Sequence, residues 1–375
     1  MSGPPDETTA AHEVDPQADR QAPPAEARPH EAQMWSQGRG RSRRRGGRRP
    51  GGEELNVPPA EFRSYYGRPI IKPPVWHHDI AAYLFTGGLA AGSSLIAAGA
   101  DVTGRPALRR AGRLTSMGAL LASTYFLIND LGRPERFHHM LRVAKVTSPM
   151  SMGTWILSAY GGAAGVAAVA EAAPLLPERG LLGLVRKMLP FTGRAAGLAA
   201  AAAAPALATY TAVLLADTAV PSWHEAYPDL PFVFAGSALA AGAGAGLIAA
   251  PVAETGPARR LAVAGAAVEL TAIHRVEHGM GLVSEPYRKD RAGHLLRTAR
   301  TLTMLGAAGA VVGRRSRLVS AVSGAALLAG SLATRFGVYE AGMASARDPK
   351  YTVVPQRERL EARESLAHEP KVQSP

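Results

Sequence analysis

The sequence has no cysteine. That removes disulfides, thiolate-held iron–sulfur clusters, thioether-linked haem and cysteine nucleophiles at one stroke. No apolar stretch follows Met1, so a cleavable leader is not expected, and membrane insertion falls to the first long hydrophobic segment. Residues 1–60 and 344–375 hold few aliphatic side chains, and neither can bury enough apolar surface to offset the entropy of ordering. Both tails therefore read as disordered. The net charge of +12 includes the arginine-rich stretch between Arg41 and Arg49. It lacks the interleaved aromatics of a nucleic-acid binder, so a tail touching anionic membrane lipid is the simpler reading and no nucleic acid is expected as partner.

What the chain does have is a long apolar middle of Ala, Gly, Leu and Val. A helix crosses a bilayer core with about 20 apolar residues, and eight such segments are expected, at 80–100, 114–129, 152–172, 195–216, 232–253, 261–283, 302–312 with its flanks, and 318–344. The fold class is thus all-α integral membrane, divided into an amino tail (1–74), a polytopic domain (75–344) and a charged carboxyl tail (345–375). Helices in lipid associate through close backbone approach, and small-xxx-small pairs occur at Gly88/Gly92, Gly161/Gly165 and Gly242/Gly246. Pro205 should bend the fourth segment. Arginines cluster in the links near Arg109, Arg259 and Arg314, whereas the 41–49 run and the basic stretch 288–300 fall on the opposite side. Charge bias leaves both orientations open.

Four groups of polar residues could carry chemistry at membrane depth, where such groups are costly. His77, His78 and Asp79, flanked by Trp76 and Tyr83, open the first segment; they can exchange protons with a lipid-soluble substrate or simply mark the interface. Asp130, Arg133, Glu135 and Arg136 follow the second segment, where guanidinium–carboxylate forks would make a rigid loop or a docking surface for a partner. Tyr210 and Thr211 lie in the fourth segment, followed by Asp217 and Trp223; a quinone carbonyl or a backbone carbonyl could accept from the Tyr210 hydroxyl. Glu269, His274, Glu277 and His278 fall within one half of the sixth helix, as a proton path or as polar glue. Two histidines on one face of one helix cannot clamp both faces of a porphyrin, so no haem is expected.

Two stretches resemble the NrfD family of polysulfide-reductase-type membrane subunits. One is Trp76-His77-His78-Asp79 through Tyr83 to Gly87, Gly88 and Gly92. The other, more specific, is Leu131-Gly132-Arg133-Pro134-Glu135-Arg136-Phe137 leading to Ser148-Pro149-Met150-Ser151, Gly153 and Trp155. The Tyr210-Thr211 pair, Pro221, Trp223 and Leu230-Pro231 extend the resemblance, which covers about residues 62–345. It implies eight helices in two four-helix bundles, with no haem or iron–sulfur cluster in this chain. A quinone (menaquinone or ubiquinone) would be bound near the surface facing a four-cluster ferredoxin-like iron–sulfur subunit, itself coupled to a molybdopterin-type catalytic subunit. By position, His77 or His78, with Asp79 and Tyr210, would line the quinone site. The doubled histidine and the histidines of the sixth segment fall outside the family pattern.

The leading expectation is therefore a quinone-binding anchor of an oxidoreductase in the bacterial cytoplasmic (inner) membrane, with Tyr83 and Tyr210 at the quinone and protons exchanged through His77 or His78, Asp79 and Asp217. A proton or ion pathway through Asp217, Glu269, His274 and Glu277, and a purely structural anchor, are the alternatives.

Overall fold

In the computed structural model, residues 69–368 are described. The arginine-rich stretch and the rest of the amino tail to position 68, like the last seven residues, lie outside them. Among the described residues there is no strand, and eight helices of 20 or more residues follow one another: α1 His78–Val102, α2 Pro106–Asn129, α3 Pro149–Ala170, α4 Gly180–Ala216, α5 Leu230–Ala249, α6 Gly256–Gly279, α7 Asp290–Val312 and α8 Arg317–Arg347. A further helix of 19 residues, α9, spans Lys350–His368, and short helical turns lie at Pro221–Glu225 and Glu285–Arg288.

Five of them (α1, α3, α4, α5 and α8) are long and apolar enough to cross a membrane by length and composition. Leu121, Val169, Phe232, Leu305 and Val322 stand more than half exposed on outward faces. Such faces suit hydrocarbon and would be a liability in water. The chain is a membrane protein built from several apolar helices.

Helix starts follow local chemistry. Pro sits in the first turn of α2, α3, α5 and α6, where its missing N–H costs nothing. Ser148 and Ser316 cap α3 and α8 by accepting from the N–H three residues on. The long helices outrun the hydrophobic segments expected from sequence. The second, fourth and seventh begin at Pro106, Gly180 and Asp290, because arginine-bearing turns continue the helix into polar surroundings. The fourth remains one helix through Pro190 and Pro205.

Helix α1 packs on α2, α4 and α5; α3 packs on α4; α5 also packs on α6 and α8, and α7 on α8. The α1–α5 crossing is backbone against backbone. A methyl on Gly92 would strike the Ala238 carbonyl, and one on Gly242 would strike the Gly92 backbone. Gly165, by contrast, faces open space, so the Gly161/Gly165 pair is no crossing point among the described residues.

The carboxyl tail departs from expectation. Residues 350–368 are helical, rich in Glu, Arg, Leu and Ala, and moored by a buried Tyr351 and an Arg359–Glu225 ion pair at 3.4 Å. Strong helix formers plus these contacts supply what composition alone hid. Lys350 reaches Glu285 at 3.4 Å, and Glu285 also pairs with Lys289. The Lys289 hydrogen bond, with Lys350 beside it, holds the Glu285 carboxyl below its usual range.

Candidate functional site

The start of α1, the end of α2, the start of α3 and the end of α4 meet around a cavity of about 80 Å³. That is room for several water-sized groups. Trp76, Tyr83, Asp130, Met150, Gly153 and Tyr210 are in its wall, which is mostly apolar.

Tyr210 dominates it. The ring lies against α3 at Gly153, where any side chain would collide with it. The residue is 9% exposed, and its hydroxyl is buried without a hydrogen-bond partner. An orphaned buried hydroxyl costs about 1–3 kcal/mol, which sets Tyr210 apart in a wall that is mostly apolar. Tyr83, 4% exposed, presents a second hydroxyl to which no hydrogen bond is made among the described residues.

The loop after α2 is tied over the cavity by the Ser-Pro-Met-Ser segment. Ser151 donates to the Val143 carbonyl at 2.8 Å and accepts from the Lys145 N–H at 2.9 Å, while Trp155 Nε1 donates to Val143 at 3.4 Å. Met140 and Met150 separate the cavity from a groove of about 240 Å³ along this loop. Each part of the motif thus does something physical. Ser148 caps, Pro149 starts the helix, Ser151 and Trp155 hold the loop, and Gly153 yields to Tyr210.

At the rim, Asp130 accepts from the His77 backbone N–H at 3.0 Å and sits 3.2 Å from His77 Nδ1, binding the start of α1 to the end of α2. Asp79 accepts from Asn129 Nδ2 at 2.8 Å. His78 turns the other way, toward α8, with Nε2 3.0 Å from Glu340 and its ring stacked on Phe336. Of the doubled histidine, then, His77 is the one bonded to a residue of the cavity wall, Asp130, and is not itself in that wall. Trp76 stacks on Trp223 at 5.8 Å, and its carbonyl accepts from Tyr339 at 2.5 Å.

Other expected residues lie elsewhere. Asp217 caps the end of α4 and is exposed, outside the cavity wall. Arg133, Glu135 and Arg136 are exposed at and within a 3₁₀ turn, Pro134–Leu141, and among the described residues no ion pair joins them to each other or to Asp130. The expected rigid fork is absent because Asp130 is committed to His77.

The α6 group divides. Glu269 and Glu277 are buried, but His274 and His278 are exposed, rings 4.4 Å apart, with His278 Nδ1 2.9 Å from the His274 carbonyl. Glu277 pairs with Arg300. Glu269 accepts from Thr334 at 2.6 Å. Next along α8, Arg335 is wholly buried, donates to the Phe234 carbonyl at 2.7 Å and lies 3.7 Å over the Phe234 ring. The four residues expected as a path are therefore not one file. Arg335 is the polar group that the sequence reading missed, although an arginine inside an apolar segment was signal enough.

Comparison with known families matches residues 70–274, more than half of the chain and every residue of the cavity wall, to the family described as polysulphide reductase, NrfD. No curated protein matches the chain. Tyr83, Asp130, Gly153 and Tyr210 converge from four helices inside the matched region, and the chain belongs to the NrfD family, membrane subunits of oxidoreductase complexes that work with other redox subunits.

Proposed function

We propose that this chain binds a quinone or quinol in the cavity between the ends of α1–α4 and passes electrons between the membrane quinone pool and an iron–sulfur partner subunit. In this reading all eight long helices span the bacterial cytoplasmic membrane, as two four-helix bundles, α1–α4 and α5–α8, joined along α1 and α5. The helix pairs that pack together support that division. The substrate is menaquinone or ubiquinone, and a molybdopterin-type enzyme lies beyond the iron–sulfur subunit.

The observation that carries the proposal is the unpartnered Tyr210 hydroxyl at an apolar cavity. A quinone oxygen supplies the missing acceptor, while the apolar wall takes the ring. Quinone reduction needs two electrons and two protons. The electrons come from the partner, and the His77–Asp130 pair at the rim is placed to exchange protons with water. Reversal of the same steps oxidises a quinol. The exposed Arg133, Glu135 and Arg136 beside this rim offer charged docking points for the partner.

The test is binding of a short-chain menaquinone or ubiquinone analogue to the purified chain, read by quenching of tryptophan fluorescence, since Trp76 borders the cavity. Saturable quenching that weakens in Tyr210→Phe is expected. Equal affinity in parent and variant would remove the site assignment.

A second reading, proton translocation, is favoured by the buried Glu269, Thr334 and Arg335 in α6 and α8. Proton flux in vesicles holding this chain without a redox partner, abolished by Glu269→Gln, would support it.

A further inference from the structure

At the end of α1–α4 remote from the cavity, four helices bring together charged groups that the quinone reading does not use. Asp101 lies in the last turn of α1, and Arg109, Arg110 and Arg113 lie in the first turns of α2. Glu171 caps α3, and Arg194 stands on α4. Glu171 receives Arg109 and Arg113 at 2.9 Å each and has Arg110 at 3.6 Å. Asp101 has Arg194 at 3.4 Å and Arg109 at 3.5 Å. Four guanidinium groups thus face two carboxylates, leaving two positive charges in excess.

The cluster is hollow. These residues line a cavity of about 320 Å³, with Pro174 and Pro190 at its side. Arg113 is 6% exposed, yet its Nε has no hydrogen-bond partner. Glycine on α4 leaves the guanidinium room, since a methyl on Gly197 would come 3.0 Å from Nη2. The side chains of Arg110 and Arg194 are 57% and 63% exposed and keep N–H groups free. Next to the cavity runs an uncovered apolar shelf: Leu175, Leu181 and Phe191 are each at least 75% exposed, and Met188 is 53% exposed.

We propose that this cavity binds the phosphate of an anionic phospholipid, with the acyl chains on the Leu175–Phe191 shelf. Surplus guanidinium forks in a polar hollow fit a phosphodiester oxygen pair. The shelf selects a lipid headgroup over free phosphate, which would gain nothing from exposed leucines. The site is independent of the quinone cavity.

The test uses the full chain in an uncharged detergent, with lipid retention counted by native mass spectrometry. Phosphatidylglycerol, phosphatidylcholine and inorganic phosphate are titrated separately. We expect one phosphatidylglycerol held in preference to phosphatidylcholine. In the Arg110→Ala/Arg194→Ala double variant, affinity should fall roughly fivefold per arginine, the worth of one basic side chain at an anionic lipid surface. Both side chains are largely exposed, so the variant should fold, and an unchanged quinone-analogue titration checks that it has. Arg275→Ala, an exposed arginine paired with Asp229, is the control and should bind as the parent does. Equal retention of both lipids, the same loss in the control, or inorganic phosphate filling the site as tightly as lipid would each overturn the proposal.

Discussion

Two buried tyrosines on neighbouring helices make opposite use of their hydroxyls. Tyr160, midway along α3, is fully buried and donates to the Ala90 carbonyl at 2.6 Å, with Ser94 and Ser116 each at 2.7 Å. Tyr210, near the end of α4, has no partner. The first is what an apolar interior demands of a polar group, a closed network joining α1, α2 and α3. The second leaves a donor open at a cavity. Residue type and burial are nearly the same, so the difference lies in what the surrounding helices offer. Mid-bundle, serines converge; at the bundle end, Gly153 and the apolar wall withhold an acceptor.

That contrast can be broken in graded ways. Gly153→Val should have the largest effect, because its side chain enters the space of the Tyr210 ring. We expect a loss of about 3 kcal/mol, the upper range for overpacking, seen as a lower thermal midpoint, together with loss of analogue binding. Tyr160→Phe should cost about 2 kcal/mol by removing the bond to the Ala90 carbonyl and leaving Ser94 and Ser116 only each other, while leaving analogue affinity unchanged in the fluorescence titration. Tyr210→Phe should invert that pattern. It removes no internal hydrogen bond and relieves a buried hydroxyl without a partner, so the midpoint rises, but affinity for the analogue drops about tenfold, or roughly 1.4 kcal/mol. If Tyr160→Phe weakened binding and Tyr210→Phe weakened folding, the contrast would be wrong.

The smallest effect lies outside the bundle. Because the folded Glu285 carboxyl titrates below its ordinary value, its contribution is complete above the normal carboxylate range and is lost as pH falls through the lowered value. Acidification should release α9 from Glu285 at a cost of a few tenths of a kcal/mol. Hydrogen exchange would show the change as faster amide exchange in 350–365 than in α8.

Sequence made the helices legible because hydrophobic runs of this length have few other uses: each of the eight segments falls on a helix, and five of those helices are long and apolar enough to cross a membrane. It made Tyr210 legible as a hydroxyl set in an apolar run, and Tyr83 as a residue flanking the start of the first segment. It misplaced residues whose role depends on partners distant in the chain. Asp130 looked like a loop charge until His77 met it from 53 residues away. Asp217 shared the right stretch of chain with Tyr210 but lies past the helix end. In α6, the helical arc grouped His274 and His278 with Glu269, but the arc alone could not say which part of it the α7 and α8 helices would cover. The helicity of 350–368 was hidden because its mooring contacts lie on Glu225 and Glu285 rather than in its own composition.

The hydroxyl of Tyr339 holds the carbonyl of Trp76 across 263 positions, and Trp223, bonded to the Val338 carbonyl at 2.8 Å, stacks on the same tryptophan. During synthesis, the earliest span therefore emerges long before the residues that fasten its beginning. A half-made polypeptide can hold the first seven long helices and still lack the fastening of Trp76 in the cavity wall. That wall is complete only when the eighth helix packs, so a truncated chain carries an unfinished cavity.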